Sequence, residues 1–162
     1  MIKVGDKLPD GTLFEMGKEG PQPVPVRELT AGKRVVIFGL PGAFTPTCSA
    51  KHVPGYVTLT DKLKSKRIDT IACMSVNDAF VMGAWGKDQE ATGKVRMLAD
   101  GSADFTRALG LELDLTARGM GVRCERFSML VDDGVVKSLN VEAPGQFEVS
   151  AAEVMLEQLD KL

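Results

Sequence analysis

Val35 Val36 Ile37 Phe38 runs without interruption into Gly39 Leu40 Pro41 Gly42 Ala43 Phe44 Thr45 Pro46 Thr47 Cys48. The apolar, β-branched run is short enough to be a strand buried on both faces. The segment after it, punctuated by Gly39, Pro41, Gly42 and Pro46, is a loop. Thr45 or Thr47 can cap the helix that follows, which puts Cys48 in its first turn. A thiol there meets unpaired N–H donors and the positive end of the helix dipole, which favour its thiolate by about 0.3–1 kcal/mol. Thr45, three residues before the sulfur, presents a hydroxyl that donates to one oxygen and accepts from another. Thiolate, hydroxyl and fixed N–H donors together suit the displacement of one electronegative atom from another.

Residues 46–66 read as a helix that is bent or broken near 52–55, because Pro54 removes a backbone hydrogen bond and crowds the preceding turn. Residues 70–76 form a second buried strand. Asn77 Asp78 then caps a helix over 79–92, which Gly93 ends. Residues 95–99 read as a strand and 102–109 as a short helix stopped by Gly110. In 111–121 the alternation of Leu111, Leu113 and Leu115 is extended, and Arg118 Gly119 Met120 Gly121 is a mobile loop. Strands at 122–131 and 135–141 flank Asp132 Asp133 Gly134, a hairpin signal. Ser150 Ala151 Ala152 Glu153 is a capping box opening a last helix with Met155, Leu159 and Leu162 on one face. Before the central strand at 33–38, residues 11–16 and 24–29 have strand character. Pro21, Pro23 and Pro25 confine them to a hairpin at the sheet margin. A βαβ half followed by a ββα half is an α/β, thioredoxin-like fold, with an N-terminal β-hairpin and an insertion between the halves. We expect a single domain over 1–162.

The composition sets the class. With 162 residues, 44% hydrophobic and 26% charged, the chain has room for one ample core and is of ordinary globular type. A net charge of -2 gives no electrostatic reason to expect nucleic acid or an anionic membrane as partner. No apolar run approaches the roughly 20 residues of a membrane span. Met1 Ile2 Lys3 Val4 Gly5 Asp6 carries neither a signal-peptide h-region nor an Arg-rich transit segment, so the expectation is a cytoplasmic chain or a trimmed organellar one. Cys48, Cys73 and Cys124 are odd in number and contain no C-x-x-C pair. That argues against a disulfide framework, and with His52 as the sole histidine also against a zinc site. Neither a metal nor a cofactor is expected.

Pro41 x x x Thr45 x x Cys48 matches the active-site motif of the peroxiredoxins. The string from Pro41 to Cys48 with His52 Val53 Pro54 Gly55 resembles their type II (peroxiredoxin V) subgroup. Further matches lie at Ser75 Val76 Asn77 Asp78 Ala79 Phe80 Val81, at Ala84 Trp85 Gly86 and at Arg126 Phe127 Ser128 Met129. The resemblance implies a thiol-dependent peroxidase that reduces hydrogen peroxide and small alkyl hydroperoxides. Cys48 would become a sulfenic acid, and an external thiol, glutathione with glutaredoxin or thioredoxin, would recycle it. A homodimer is also implied, with Phe80 at the contact. The same cysteine would equally serve a thiol-based redox sensor or relay, and rapid turnover with a general reductant separates the two. A cysteine hydrolase is a weaker reading, since His52 alone could act as its base.

The remaining roles rest on the same resemblance. An unperturbed thiol of pKa about 8.5 is only a few per cent thiolate at neutral pH, and lowering it by about two units takes roughly 2.7 kcal/mol. That exceeds what a helix dipole gives, so a cation is needed. The resemblance makes it Arg126, on a strand of the same sheet. Thr45 would hold and polarise the peroxide, and Pro41 would shield the sulfur. His52 reads as a structural hydrogen-bonding residue, with the general base as the lesser reading. Cys73, inside an apolar strand, reads as a core thiol, with a resolving cysteine as the lesser reading. Cys124 lies two residues before Arg126 and shares its strand face if no bulge intervenes, which would bring it toward the pocket; an incidental thiol at a strand start is the favoured reading. The resolving cysteine that some relatives carry before the last helix is missing from Phe147 Glu148 Val149 Ser150. A one-cysteine cycle through a mixed disulfide is therefore expected.

Overall fold

The computed structural model describes residues 1–162. In chain order its elements are β1 (Thr12–Gly17), β2 (Gly20–Pro25), α1 (Val26–Thr30), β3 (Arg34–Gly39), a π-helical turn (Cys48–His52), α2 (Val53–Thr58) and α3 (Thr60–Ser65). There follow β4 (Thr70–Ser75), α4 (Ala79–Asp88), β5 (Arg96–Ala99), α5 (Asp104–Leu109) and β6 (Glu112–Leu115). A 3₁₀ turn (Thr116–Arg118), β7 (Gly121–Cys124), β8 (Phe127–Asp132), β9 (Val135–Val141) and α6 (Ala152–Asp160) complete the chain. Seven strands form one sheet in the order β2-β1-β5-β4-β3-β8-β9, and β6 and β7 form a separate pair. β3 runs parallel to β4, and β4 to β5, while β8 lies antiparallel to β3. This is the thioredoxin-like α/β arrangement, with β5, α5, β6 and β7 inserted between its halves.

The central strands are apolar throughout because both faces of the sheet are covered. Successive residues alternate between two cores. Val36, Phe38, Ile71 and Cys73 pack with Cys48, Tyr56, Trp85 and Met155 on one face. Val35, Ile37, Ala72 and Met74 pack with Leu29, Phe105, Leu109 and Cys124 on the other. β3 thus delivers its C-terminal end, and the loop after it, to the middle of the sheet edge where β8 begins.

Several boundaries differ from the sequence reading, each for a physical reason. The second arm of the N-terminal hairpin is β2, which runs through all three prolines, rather than 24–29. Pro21, Pro23 and Pro25 sit opposite Met16, Phe14 and Thr12, two residues apart on the outermost strand. All three missing N–H groups therefore fall on the alternation that faces away from the sheet. Residues 122–131 are not one strand: the ladder stops after Cys124, where the Glu125 N–H turns to the Leu111 carbonyl at 2.8 Å. Ser150 does not cap α6, whose N-cap is Ala151, and its hydroxyl instead donates to Glu142. Leu162 is exposed rather than on the buried face with Met155 and Leu159. α4 ends at Asp88, four residues early, but Asp78 caps it as expected, accepting from the Val81 N–H at 2.8 Å. The Asp132–Val135 connection is the expected two-residue hairpin, with Asp133 at φ 47° and Gly134 at φ 80°.

Candidate active site

Helical backbone begins at Pro46, and the turn from Cys48 to His52 is π-helical, closed by the Val53 N–H on the Cys48 carbonyl. Such a widened turn relieves the clash and the lost donor that Pro54 would impose on a regular helix, so the expected break takes the form of a bulge one turn upstream. A second irregularity falls at Leu59, between α2 and α3. Neither Thr45 nor Thr47 caps the helix with its side chain: the Thr45 hydroxyl turns back to donate to the Gly42 carbonyl at 2.7 Å. The Ser49 N–H closes on the Thr45 carbonyl at 2.9 Å, so Cys48 stays in the open first turn where N–H groups lack helical partners.

The Cys48 side chain is fully buried, and its sulfur accepts a hydrogen bond from Arg126 Nη2 at 3.2 Å. Arg126 lies in the two-residue connector between β7 and β8, not on a strand, and this break is what frees its guanidinium to cross to Cys48. Nη1 of the same guanidinium donates to His52 Nδ1 at 2.9 Å, and His52 Nε2 meets the Ser150 carbonyl at 3.1 Å. An arginine has no acceptor and a carbonyl no donor, so the imidazole is the neutral Nε2–H tautomer. Burial, reinforced by the Arg126 charge, lowers the His52 pKa from 6.5 to about 3, against the opposing pull of the Ser150 carbonyl. The general-base reading therefore fails, because both ring nitrogens are engaged, and the structural reading holds.

This shift predicts a pH dependence of stability. The unfolded chain takes up a proton on His52 below about pH 6.5, and the folded chain does so only near pH 3. Stability from this residue is thus intact above pH 6.5 and falls through the window between, at up to about 1.4 kcal/mol per pH unit. In urea unfolding at pH 7 and pH 4.5, His52→Asn should lose less stability on acidification than the parent chain. An equal loss in both would contradict the assignment.

The loop before Cys48 is fastened at two points, one of them braced from behind. The Ala43 N–H donates to Asn77 Oδ1 at 3.0 Å, and Ser75 Oγ donates to the same oxygen at 2.7 Å. Arg123 Nη1 donates to the Pro41 carbonyl at 3.3 Å. A Cβ at Gly42 would come within 2.8 Å of Arg123 Nη1, so any larger residue there displaces the guanidinium that holds the Pro41 carbonyl. Phe44 holds a left-handed backbone, φ 63°, rare for a bulky residue. A cavity of about 140 Å³ opens beside Arg126, bounded by Pro41, Thr47, Glu142 and Gln146.

Of the other residues singled out in the sequence, Cys73 is buried in the same core as Cys48, and burial pushes its thiol well up. Cys124 does not approach the pocket. It packs on the opposite face of the sheet, burial likewise pushes its thiol up, and its sulfur donates to the Glu125 carbonyl at 3.1 Å. No pair of the three cysteines is bonded. Trp85 is buried and its indole N–H donates to Ser49 Oγ at 3.1 Å, next to Cys48, whereas Phe80 is 64% exposed. Arg123 and Glu142 were missed, and Asn77 was read as part of a helix cap rather than as a partner of the loop. No local pattern marks these roles, because the partners lie 82, six to eight and 34 residues away.

The Redoxin family model matches residues 3–156. Peroxiredoxin-2E, chloroplastic, of Arabidopsis thaliana is 54% identical over 98% of this chain and 69% of its own length. Peroxiredoxin-2B of the same plant is 52% identical over 98% of both chains. The crystal structure of reduced Prx3 in complex with H2O2 from Vibrio vulnificus superposes with a TM-score of 0.95. It shares 57% sequence identity over 98% of this chain and 99% of that one.

Proposed function

Since the chain belongs to the peroxiredoxins of the Redoxin family and is a thiol-dependent peroxidase, we propose that Cys48 is the peroxide-reducing thiol, with Arg126, Thr45 and Pro41 as its partners. The observation that carries this assignment is the Arg126 guanidinium on the Cys48 sulfur at 3.2 Å, in a first helical turn that keeps N–H donors unpaired. The Cys48 thiolate attacks the terminal oxygen of a hydroperoxide. An S–O bond forms as the O–O bond breaks, two electrons pass from sulfur to oxygen, and the departing alkoxide or hydroxide takes a proton to leave as alcohol or water. Arg126 and the first-turn N–H groups stabilise charge on the leaving oxygen. The Thr45 hydroxyl, its proton committed to Gly42, offers lone pairs to the peroxide O–H. Pro41 walls the sulfur from bulk water.

The sulfenic acid then condenses with an external thiol, releasing water, and a second thiol exchanges with the mixed disulfide to restore Cys48. We take glutathione with glutaredoxin, or thioredoxin, as that reductant. Two observations favour this one-cysteine cycle: Cys73 and Cys124 are both buried, and burial raises both thiols. The double variant Cys73→Ser, Cys124→Ser should keep peroxide turnover within about threefold of the parent chain. Loss of turnover in either single variant would replace this cycle by one with an internal partner thiol.

A homodimer belongs to the proposal, with the exposed rings of Phe80 and Phe44 at the contact. So does a cytoplasmic site of action, or that of a trimmed organellar form. No helix is long and apolar enough to cross a membrane.

A further inference from the structure

Behind Arg126 lies a strap, residues 142–150, folded around one carboxylate. Glu142 Oε2 accepts from the N–H groups of Glu148, Val149 and Ser150 at 2.9, 2.9 and 2.8 Å, and from the Ser150 hydroxyl at 2.7 Å. Four donors converging on one buried oxygen are an anion nest closed by the chain's own side chain. Burial raises the Glu142 carboxyl, but the Ser150 hydroxyl and the three N–H groups outweigh it and hold the group below the usual carboxylate range. The nest fixes the peptide whose carbonyl receives His52 Nε2–H at 3.1 Å and, at 2.9 Å, the Tyr56 hydroxyl. Phe147, within the strap, packs on the His52 ring at 5.1 Å and under the Arg126 guanidinium at 5.8 Å. The Glu142 N–H in turn donates to the Arg126 carbonyl at 2.9 Å. The strap therefore grips Arg126 at its backbone and, through the imidazole, at its guanidinium.

We propose that Glu142 is a positioning residue for the peroxide reaction: by nesting Ser150 it orients His52, which holds the Arg126 guanidinium on the Cys48 sulfur. Glu142 touches neither sulfur nor peroxide. Its effect reaches them through one neutral bond, His52 Nε2–H to the Ser150 carbonyl, and one charge-assisted bond, Arg126 Nη1–H to His52 Nδ1. An arginine held at one nitrogen only would swing about its long side chain. Held at both, it presents Nη2 to the sulfur and to the leaving oxygen in one geometry.

The inference rests on the roles assigned above to Cys48 and Arg126, and oxidation of the parent chain at Cys48 tests those roles separately. The test of the relay compares Glu142→Gln, His52→Leu, His52→Asn and the double variant Glu142→Gln, His52→Leu. For each, the second-order rate constant with hydrogen peroxide is read by Trp85 fluorescence, and alkylation of Cys48 by iodoacetamide is read beside it. Glu142→Gln should slow the peroxide reaction about tenfold and His52→Leu about 30-fold, with alkylation changed less than threefold. His52→Asn should recover most of the loss, because its amide can accept from Arg126. The double variant should be no slower than His52→Leu alone, since both act through one guanidinium. Multiplicative losses in the double variant, or an unchanged peroxide rate in Glu142→Gln, would overturn the relay. Should Glu142→Gln fail to fold, Ser150→Ala, which removes one of the four donors, replaces it with an expected threefold loss, and an unchanged rate there overturns the relay equally.

Discussion

Cys48→Ser is expected to abolish peroxide turnover, by at least about 10⁴-fold, while leaving the fold in place. Serine is the smallest change available at this buried position, and its oxygen can still accept the Arg126 hydrogen bond, so packing and that bond survive although the thiolate charge is lost. What it lacks is chemical: an alcohol is scarcely ionised at neutral pH, and taking an oxygen atom from a peroxide would only exchange one weak O–O bond for another. Peroxide consumption with dithiothreitol as reductant, together with the melting temperature, checks this. Turnover above one hundredth of the parent rate in a folded Cys48→Ser protein would move the chemistry to Cys73 or Cys124.

Arg126→Ala should lower the rate constant for oxidation of Cys48 by about 10²–10³-fold, the cost of removing one preorganised donor from a developing oxyanion. The same change leaves His52 Nδ1 without its partner inside the protein, which should cost about 1–3 kcal/mol of stability. Arg126→Lys should not restore the rate. A single ammonium cannot match the fork that now reaches His52 Nδ1 at 2.9 Å and the sulfur at 3.2 Å from two different nitrogens. Stopped-flow fluorescence measures the rate and urea unfolding the stability. A rate within threefold of the parent for Arg126→Ala would remove Arg126 from the reaction, and the same result for Arg126→Lys would show that one cation suffices without the fork.

The central strands were legible because burial on both faces leaves β3 and β4 as unbroken apolar runs between glycine and proline punctuation. Cys48 was legible for the same reason: strand, loop and helix start are all local signals. The position of Arg126 off the strand was not, since the pairing of β7 with β6 depends on a contact between Glu125 and Leu111 across an insertion. Nor was the proline-bearing β2, where propensity alone spoke against a strand and only its place at the sheet edge permits one. Ser150 misled in the opposite direction: its capping-box sequence is sound, but a carboxylate eight residues earlier in the chain takes its hydroxyl. His52 was seen as a hydrogen-bonding residue, yet its two partners, 74 and 98 residues away, follow from the tertiary fold alone. Local chemistry was thus readable from neighbours in sequence, and the groups that aim it were not.

The most direct measurement is a single turnover of the reduced protein with one equivalent of hydrogen peroxide, followed by Trp85 fluorescence and by mass spectrometry of the quenched, peptide-mapped product. The account predicts a fast fluorescence change and one added oxygen confined to the peptide bearing Cys48, reversed by an external thiol. Slow reaction, or oxidation centred on Cys73 or Cys124, would contradict it.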